Sequence, residues 1–171
     1  MSNTRLSILG SRAVLFEVDC PFDLAHQERI WALAAEASQW DGVREAVPGM
    51  TNLTLLLTEV PQDVAAIEAD LTALWAKGAR HEVDGTLLEI DLTDGGAGGP
   101  HLKDVAEMTG LSIDEVVTLH SGTDYTVYAL GSHAGYCYLG GLDPRLETPR
   151  RKVPLPHLPG GSLSIAGLQT G

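Results

Sequence analysis

The sequence contains few cysteines and few aromatic residues. Only Cys20 and Cys137 are present, and Phe, Trp and Tyr together make up 5% of the chain. The two cysteines lie far apart, without the C-x-x-C spacing or the neighbouring histidine pairs of a zinc site. We therefore expect no metal and interpret both cysteines as buried or incidental thiols of a reducing compartment.

Positive charge and long hydrophobic runs are scarce as well. Eleven Lys and Arg residues stand against twenty-three Asp and Glu residues, and the net charge of −12 repels nucleic-acid phosphates and anionic lipid headgroups. No apolar stretch approaches the roughly 20 residues of a membrane span, and no signal-peptide pattern is found. These absences predict a soluble, cytoplasmic protein that binds neither nucleic acid nor membrane. The basic cluster Arg145, Arg150, Arg151 and Lys152 could attract a phosphate or a carboxylate.

The first half of the chain carries the pattern of a small α/β domain. Residues 13–19 are typical of a strand, and a helix with Asp23 as its N-cap follows until Gly42. Residues 43–47 and 52–58 predict a hairpin, and a second helix begins near Pro61 and ends at Gly78. If the next extended run supplies a last strand, residues 1–85 form a ferredoxin-like βαββαβ domain. Residues 87–92 alternate as another strand, and a second domain is expected to start there.

The second half predicts a β-rich domain over residues 86–171. Residues 94–100 form a glycine-rich loop that lacks the Lys-Ser or Lys-Thr of a phosphate-binding loop, which favours a plain linker. Helices are predicted over 101–109 and 113–120, the latter opened by a capping box of Ser112 and Glu115. Residues 124–131 alternate as a strand, and a brief extended piece covers 162–166. The remaining Gly- and Pro-rich segments indicate loops of a barrel or open β structure.

Ordered motifs along the chain resemble the family of 5-oxoprolinase B subunits, also called allophanate hydrolase subunit 1 or the KipI family. The resemblance rests on residues 43–53, 89–92, 99–106, 111–121, 138–146, 149–151, 159–162 and 165–171. It implies an α+β protein in which a small α/β domain precedes a cyclophilin-like β-barrel, here short at the C-terminus. It also implies two partners, a C subunit that pairs with this chain and a separate A subunit. Together the three subunits would use ATP to open the lactam 5-oxoproline to glutamate.

Two other functions are compatible with the same resemblance. A KipI-type protein inhibits a histidine kinase, for which the loops of the second domain would be the docking surface. A carboxyltransferase-like role in urea or allophanate metabolism would act on an amide substrate. Because fold alone does not choose between these functions, the site residues have to decide.

Four side chains are candidates for the chemistry that the resemblance implies. Arg150 and Arg151 could pair with a phosphate or carboxylate, or they could be a solvated pair that balances Asp143 and Glu147. His120 could exchange protons, or it could be a histidine bonded locally at a helix C-terminus. Gln169 could orient a substrate carbonyl, or it could fix the turn that contains it.

The segment from His133 to Pro154 is predicted to be a loop that faces substrate or partner. The amides at Ala134-Gly135 and at Gly140-Gly141 could stabilise a developing oxyanion. Tyr136 and Tyr138 are more typical of packing than of catalysis. The candidate binding loop therefore comprises Gly135, Tyr136, Tyr138, Gly140, Gly141 and Pro149.

Overall fold

Four α-helices and two antiparallel sheets are found in the computed structural model, which describes residues 4–82, 84–155 and 158–171. The predicted mixed α/β class is confirmed. The chain divides into two units, Met1–Asp84 and Gly85–Gly171. Within the described ranges, none of the helices is long and apolar enough to cross a bilayer.

The first unit is a four-stranded sheet with two helices. Its elements are β1 (Thr4–Ile8), β2 (Ala13–Val18), α1 (Leu24–Ala37), β3 (Val43–Pro48), β4 (Asn52–Leu57) and α2 (Val64–Lys77). The strands pair antiparallel in the order β1-β2-β4-β3. Alternate residues of β2 and β4 are buried, as expected when one face of a sheet is covered. Side chains of both helices complete that core, which contains Val14, Phe16, Val18, Ile30, Leu33, Leu53, Leu55, Leu57, Leu71 and Trp75.

The helix boundaries of the first unit follow from local chemistry. The carboxylates of Asp23 and Asp63 accept hydrogen bonds from the backbone N–H groups of His26 and Ala66, so each caps the N-terminus of a helix. Gly78 ends α2 with a φ of 68°, a left-handed conformation that glycine adopts at little cost. The predicted helices and the predicted β3–β4 hairpin are confirmed.

The predicted last strand of the first domain is wrong. Residues 87–92 form no strand, and the position beside β2 is taken by β1, which the sequence pattern did not predict. The order is therefore ββαββα rather than βαββαβ. A short hairpin joins β1 to β2, and closing so short a loop costs less entropy than bringing a distant segment to the same edge.

The second unit contains two short helices and a second sheet. Its elements are α3 (Leu102–Thr109), α4 (Ile113–Ser121), β5 (Thr126–Leu130), β6 (Cys137–Gly140), a 3₁₀ turn (Pro144–Leu146), β7 (Ile165–Ala166) and β8 (Gln169–Thr170). The strands pair antiparallel in the order β5-β6-β8-β7. These strands form an open sheet, so the closed barrel expected from the resemblance is not what the described residues form.

A small core holds the two helices of the second unit against the 3₁₀ turn. Ala106, Val116, Leu142 and Leu146 are buried together, and Ile165 and Tyr125 pack against them. The predicted capping box of α4 is confirmed, because Ser112 and Glu115 exchange side-chain and backbone hydrogen bonds of 2.8 and 3.2 Å. The helices of the second unit therefore pack on each other and on the 3₁₀ turn, and Ile165 of β7 joins this core.

Candidate functional site

The strand register places two predicted site residues on one face of the second sheet. Leu139 of β6 lies opposite Thr170 of β8, and Thr170 lies opposite Ile165, which packs into the helix-covered core. Because side chains alternate along a strand, Tyr138 and Gln169 lie on the sheet face opposite to that of Ile165. The expectation that residues 133–154 form one loop is wrong here, since β6 runs through Tyr138 and Gly140.

Arg150 contacts Gln169 on this face. The Nη2 of Arg150 donates a hydrogen bond of 3.1 Å to Oε1 of Gln169. An isolated β-bridge between Thr148 and Gly167, with a hydrogen bond of 2.6 Å from the Gly167 N–H to the Thr148 carbonyl, holds the two chain segments side by side. Since Oε1 is occupied, the Nε2 group of Gln169 is the end that can donate to another group.

The neighbouring arginines are bound to carboxylates. Arg151 pairs with Asp104 of α3 at 3.0 Å, and Arg145 pairs with Asp143 at 2.7 Å. The hydrogen bonds from Arg145 lower the pKa of Asp143 to about 2. The expectation that Asp143 balances Arg150 or Arg151 is therefore wrong. To bind an anion, Arg145 and Arg151 would each first have to break an ion pair. The described partner of Arg150 is the neutral Oε1 atom of Gln169, so Arg150 can bind an anion without breaking an ion pair.

An aromatic group lies at the end of the same sheet. Tyr136 and Tyr138 meet edge to face with ring centroids 5.0 Å apart, and the ring of His133 lies 5.3 Å from that of Tyr136. Gly171 lies against this group. A Cβ built on Gly171 would overlap the Cys137 carbonyl oxygen and would lie 3.1 Å from the Tyr136 hydroxyl oxygen. Tyr136 and Tyr138 therefore pack on each other beside Gly171, at the end of β8, and their role in binding stays a prediction.

The glycines of the predicted loop have conformational and packing roles. Gly135 and Gly141 have φ values of 83° and 105°, which favour glycine. The ring of Tyr128, which is 4% exposed, lies directly over Gly140. Pro149 is exposed between Thr148 and Arg150. The role of the amides at Gly135, Gly140 and Gly141 in binding an oxyanion stays a prediction.

His120 lies at the end of α4, apart from the contacts that join Arg150 to Gln169. Its ring is 5.5 Å from that of Tyr125, whose hydroxyl donates a hydrogen bond of 2.9 Å to the His120 carbonyl. Its Nε2 atom is buried and makes no hydrogen bond within the described residues. Burial lowers the pKa of His120, although the charge of Asp94 opposes this shift, and the imidazole is therefore neutral at neutral pH. Its role in proton transfer stays a prediction.

Sequence reasoning missed three residues that shape this region. Tyr128 covers Gly140, Tyr125 fixes the end of α4, and Asp104 takes the charge of Arg151. Tyr125 and Tyr128 lie in the predicted strand 124–131, and their aromatic character was the available signal. The pairing of Asp104 with Arg151 had no local signal, because 47 residues separate the two in sequence. No cluster of metal-ligating side chains occurs in residues 4–82, 84–155 and 158–171.

Comparison with known proteins defines the class of the chain. Residues 4–171 match the family described as carboxyltransferase domain, subdomain C and D, and the chain belongs to this family. A solved structure agrees, since the crystal structure of TTHA0988 aligns with 93% of this chain at a TM-score of 0.67 and 30% identity. The match covers 31% of that longer chain.

Within this family, the chain is related to B subunits of 5-oxoprolinases. It is 43% identical over 173 residues to the 5-oxoprolinase B subunit of Escherichia coli O157:H7, a match that covers 100% of this chain and 78% of that relative. The corresponding protein of Haemophilus influenzae strain Rd is 36% identical over 163 residues, which cover 95% of this chain and 76% of the relative. Each of these relatives is named as one subunit, so each works within a multi-subunit enzyme.

Proposed function

We propose that this chain is the B subunit of an ATP-dependent 5-oxoprolinase, which opens 5-oxoproline to L-glutamate together with its A and C subunits. The observation that carries the proposal is the 43% identity to a protein named as the B subunit of 5-oxoprolinase, across 100% of this chain. The free thiols of Cys20 and Cys137 support a reducing compartment such as the cytoplasm. We further propose that residues 1–85 form a domain whose strands follow the ferredoxin-like order. Residues 86–171 form a second domain, which is part of a cyclophilin-like barrel.

The Arg150–Gln169 pair offers the interactions that a lactam acid needs. 5-Oxoproline carries a carboxylate and a ring carbonyl, and its activation by ATP adds phosphoryl oxygens. The exposed guanidinium of Arg150 can pair with a carboxylate or a phosphoryl group through two parallel hydrogen bonds. The Nε2 group of Gln169 can donate to the carbonyl oxygen, which becomes more negative as the ring opens. Tyr138 lies on the same face and supplies an aromatic wall for the ring methylenes.

The proposal predicts an activity that requires the complete assembly. When this chain is purified with its A and C subunits, we expect ATP hydrolysis that depends on added 5-oxoproline. The chain alone should hydrolyse neither compound, because the relatives that it matches are named as one subunit of the enzyme. An intact three-subunit complex without 5-oxoproline-dependent ATP hydrolysis would overturn the proposal.

The proposed site can be tested separately in the same complex. Arg150→Gln removes the charge, whereas Lys152→Gln removes a charge from the same exposed segment without touching Gln169. We expect Arg150→Gln to lower kcat/KM for 5-oxoproline by about 10- to 100-fold, the range of a lost charged hydrogen bond. Lys152→Gln should stay within about twofold of the unaltered complex. Equal effects of the two substitutions would show that Arg150 acts only through general charge.

A further inference from the structure

The first unit contains a cavity of about 350 Å³, separate from the contact of Arg150 with Gln169. Its apolar lining includes Trp40, Val43, Leu55, Leu57, Pro61 and Ile67. Leu55 is fully buried and Leu57 is 6% exposed, so these two residues of β4 form the floor. A cavity of this size, with a mostly apolar lining and a few polar groups, is typical of sites that bind small molecules.

A tight turn places an acidic residue at the rim of this cavity. The N–H of Val43 donates a hydrogen bond of 3.1 Å to the Trp40 carbonyl, which closes a four-residue turn. Gly42 has a φ of 83°, as the third residue of a type II turn requires. Asp41 is therefore the second residue of the turn, where it is exposed and lines the cavity.

Glu59 lies on the segment that faces Asp41. The N–H and the hydroxyl of Thr58 donate hydrogen bonds of 2.9 and 3.3 Å to the Gly42 carbonyl, which continue the pairing of β3 with β4 beyond the strands. Glu59 also lines the cavity. Within the part of the chain that the structure describes, neither carboxylate has an ion pair or a hydrogen bond. Like charges on facing segments repel each other, so a cation at this rim is favoured.

The charge and the lining of the cavity define its ligand. Arg12 binds the Thr58 carbonyl at 3.4 Å and pairs with neither carboxylate, so the rim keeps both negative charges. Trp40 adds an aromatic ring to the lining, and aromatic rings attract cations. The apolar floor favours a hydrocarbon group. A ligand that satisfies all of these groups combines a positive charge with an apolar body.

We infer that this cavity binds a small organic ammonium ion whose body is an aromatic or branched hydrocarbon group. The ammonium group lies at the rim with Asp41 and Glu59, and the hydrocarbon group covers Leu55 and Leu57. The inference stands apart from the proposed function, because the cavity is lined by residues of the first unit and its test uses this chain without the A and C subunits.

An NMR titration of the isotope-labelled chain tests the inference. Phenethylammonium has the stated chemistry, phenethyl alcohol lacks the charge, and hydrocinnamate reverses it. Phenethylammonium should bind with a Kd of about 1 mM or tighter and should shift the signals of the Gly42 amide and the Trp40 indole N–H, the latter identified by Trp40→Phe. The alcohol should bind at least about tenfold more weakly, and hydrocinnamate should cause no shift.

Two double variants separate the rim from general charge. Asp41→Asn/Glu59→Gln removes both charges of the rim, whereas Glu36→Gln/Asp70→Asn removes two exposed charges outside the cavity. The rim variant should bind phenethylammonium at least about tenfold more weakly, and the control should stay within about twofold of the unaltered protein. Unchanged far-UV circular dichroism verifies that both variants fold.

Four results would overturn the inference: no binding of phenethylammonium, equal binding of phenethylammonium and the alcohol, equal effects of the two double variants, or shifts confined to residues outside the cavity. N-Acetyl-lysine methylamide presents a lysine side chain as a partner protein would. It should bind more weakly than phenethylammonium, because its linear chain covers less of the apolar floor. If it binds more tightly, the cavity receives a protein partner and the assignment to a small molecule is wrong.

Discussion

The contact of Tyr128 with Gly140 leads to a sharp stability prediction. A Cβ built on Gly140 falls 2.6 Å from Cε1 of Tyr128 and still closer to Cζ and Cε2, whereas carbon atoms pack best at about 3.5–4.0 Å. Gly140→Ala therefore requires the ring to move by about 1 Å or more. The ring is 4% exposed, so little free space is available for that movement.

The magnitude follows from two opposing effects. Overpacking a filled interior costs about 1–3 kcal/mol. Replacing glycine by alanine returns about 0.4–1 kcal/mol, because the unfolded chain loses conformational freedom. We expect a net destabilisation of about 1.5 kcal/mol, which is roughly a tenfold fall in the ratio of folded to unfolded protein.

The distribution of aromatic residues provides the assay. All four tyrosines lie in the second unit, and all three tryptophans lie in the first. Urea unfolding followed by tyrosine near-UV circular dichroism thus reports on the unit that contains Gly140, with tryptophan emission as the record of the other unit. Gly160→Ala is the matched control, since nothing lies within 4 Å of a Cβ built there. Gly160→Ala should change the free energy of unfolding by less than about 0.5 kcal/mol. If Gly140→Ala also changes it by less than about 0.5 kcal/mol, the packing of Tyr128 on Gly140 described here is wrong.

Three further predictions concern the second unit. Ser112→Ala removes the acceptor of the Glu115 N–H at the start of α4 and should cost about 1 kcal/mol in urea unfolding, whereas Ser112→Thr should cost much less. Burial lowers the pKa of His120 below 6.5, so the unfolded chain binds more protons as the pH falls through that value. The urea midpoint of unfolding should therefore decrease below about pH 6.5, and His120→Phe should remove that decrease. If the midpoint of His120→Phe falls with pH as steeply as that of the unaltered protein, the burial of the ring is contradicted. Burial raises the pKa of Tyr125 to about 12. A spectrophotometric titration should therefore show one tyrosine hydroxyl that ionises at a higher pH than the others, and Tyr125→Phe should abolish that step.

Elements with strong local signals could be predicted from the sequence. The apolar stripes and caps of α1 and α2 and the capping box at Ser112 act within a few residues, so the pattern contains the interactions that form them. The β3–β4 hairpin belongs to the same group, because its turn is encoded next to its strands.

Elements defined by distant partners could not be predicted in the same way. β8 contains only Gln169 and Thr170, and its pairing with β6 depends on residues about thirty positions away, where no periodicity can be read. Conversely, residues 87–92 alternate as a strand should, but the described structure supplies no neighbour for them. Strand propensity describes a surface that suits pairing, and the pairing itself is decided by tertiary structure.

The same distinction applies to the candidate site. The sequence identified Arg150, Arg151 and Gln169 but could not pair them. The β-bridge from Thr148 to Gly167 brings Arg150 to Gln169, while Asp104 takes Arg151. Partner choice among arginines depends on which carboxylate the fold brings within reach, and composition alone does not contain that information.

The most direct test of the central claim is the formation of glutamate from 5-oxoproline by the reconstituted assembly, measured with this chain supplied or withheld. Our account predicts glutamate formation coupled to ATP hydrolysis when this chain is combined with the A and C subunits. It also predicts loss of that coupling when this chain is left out, and recovery when the purified chain is added back. Equal glutamate formation with and without this chain would contradict its assignment as the B subunit.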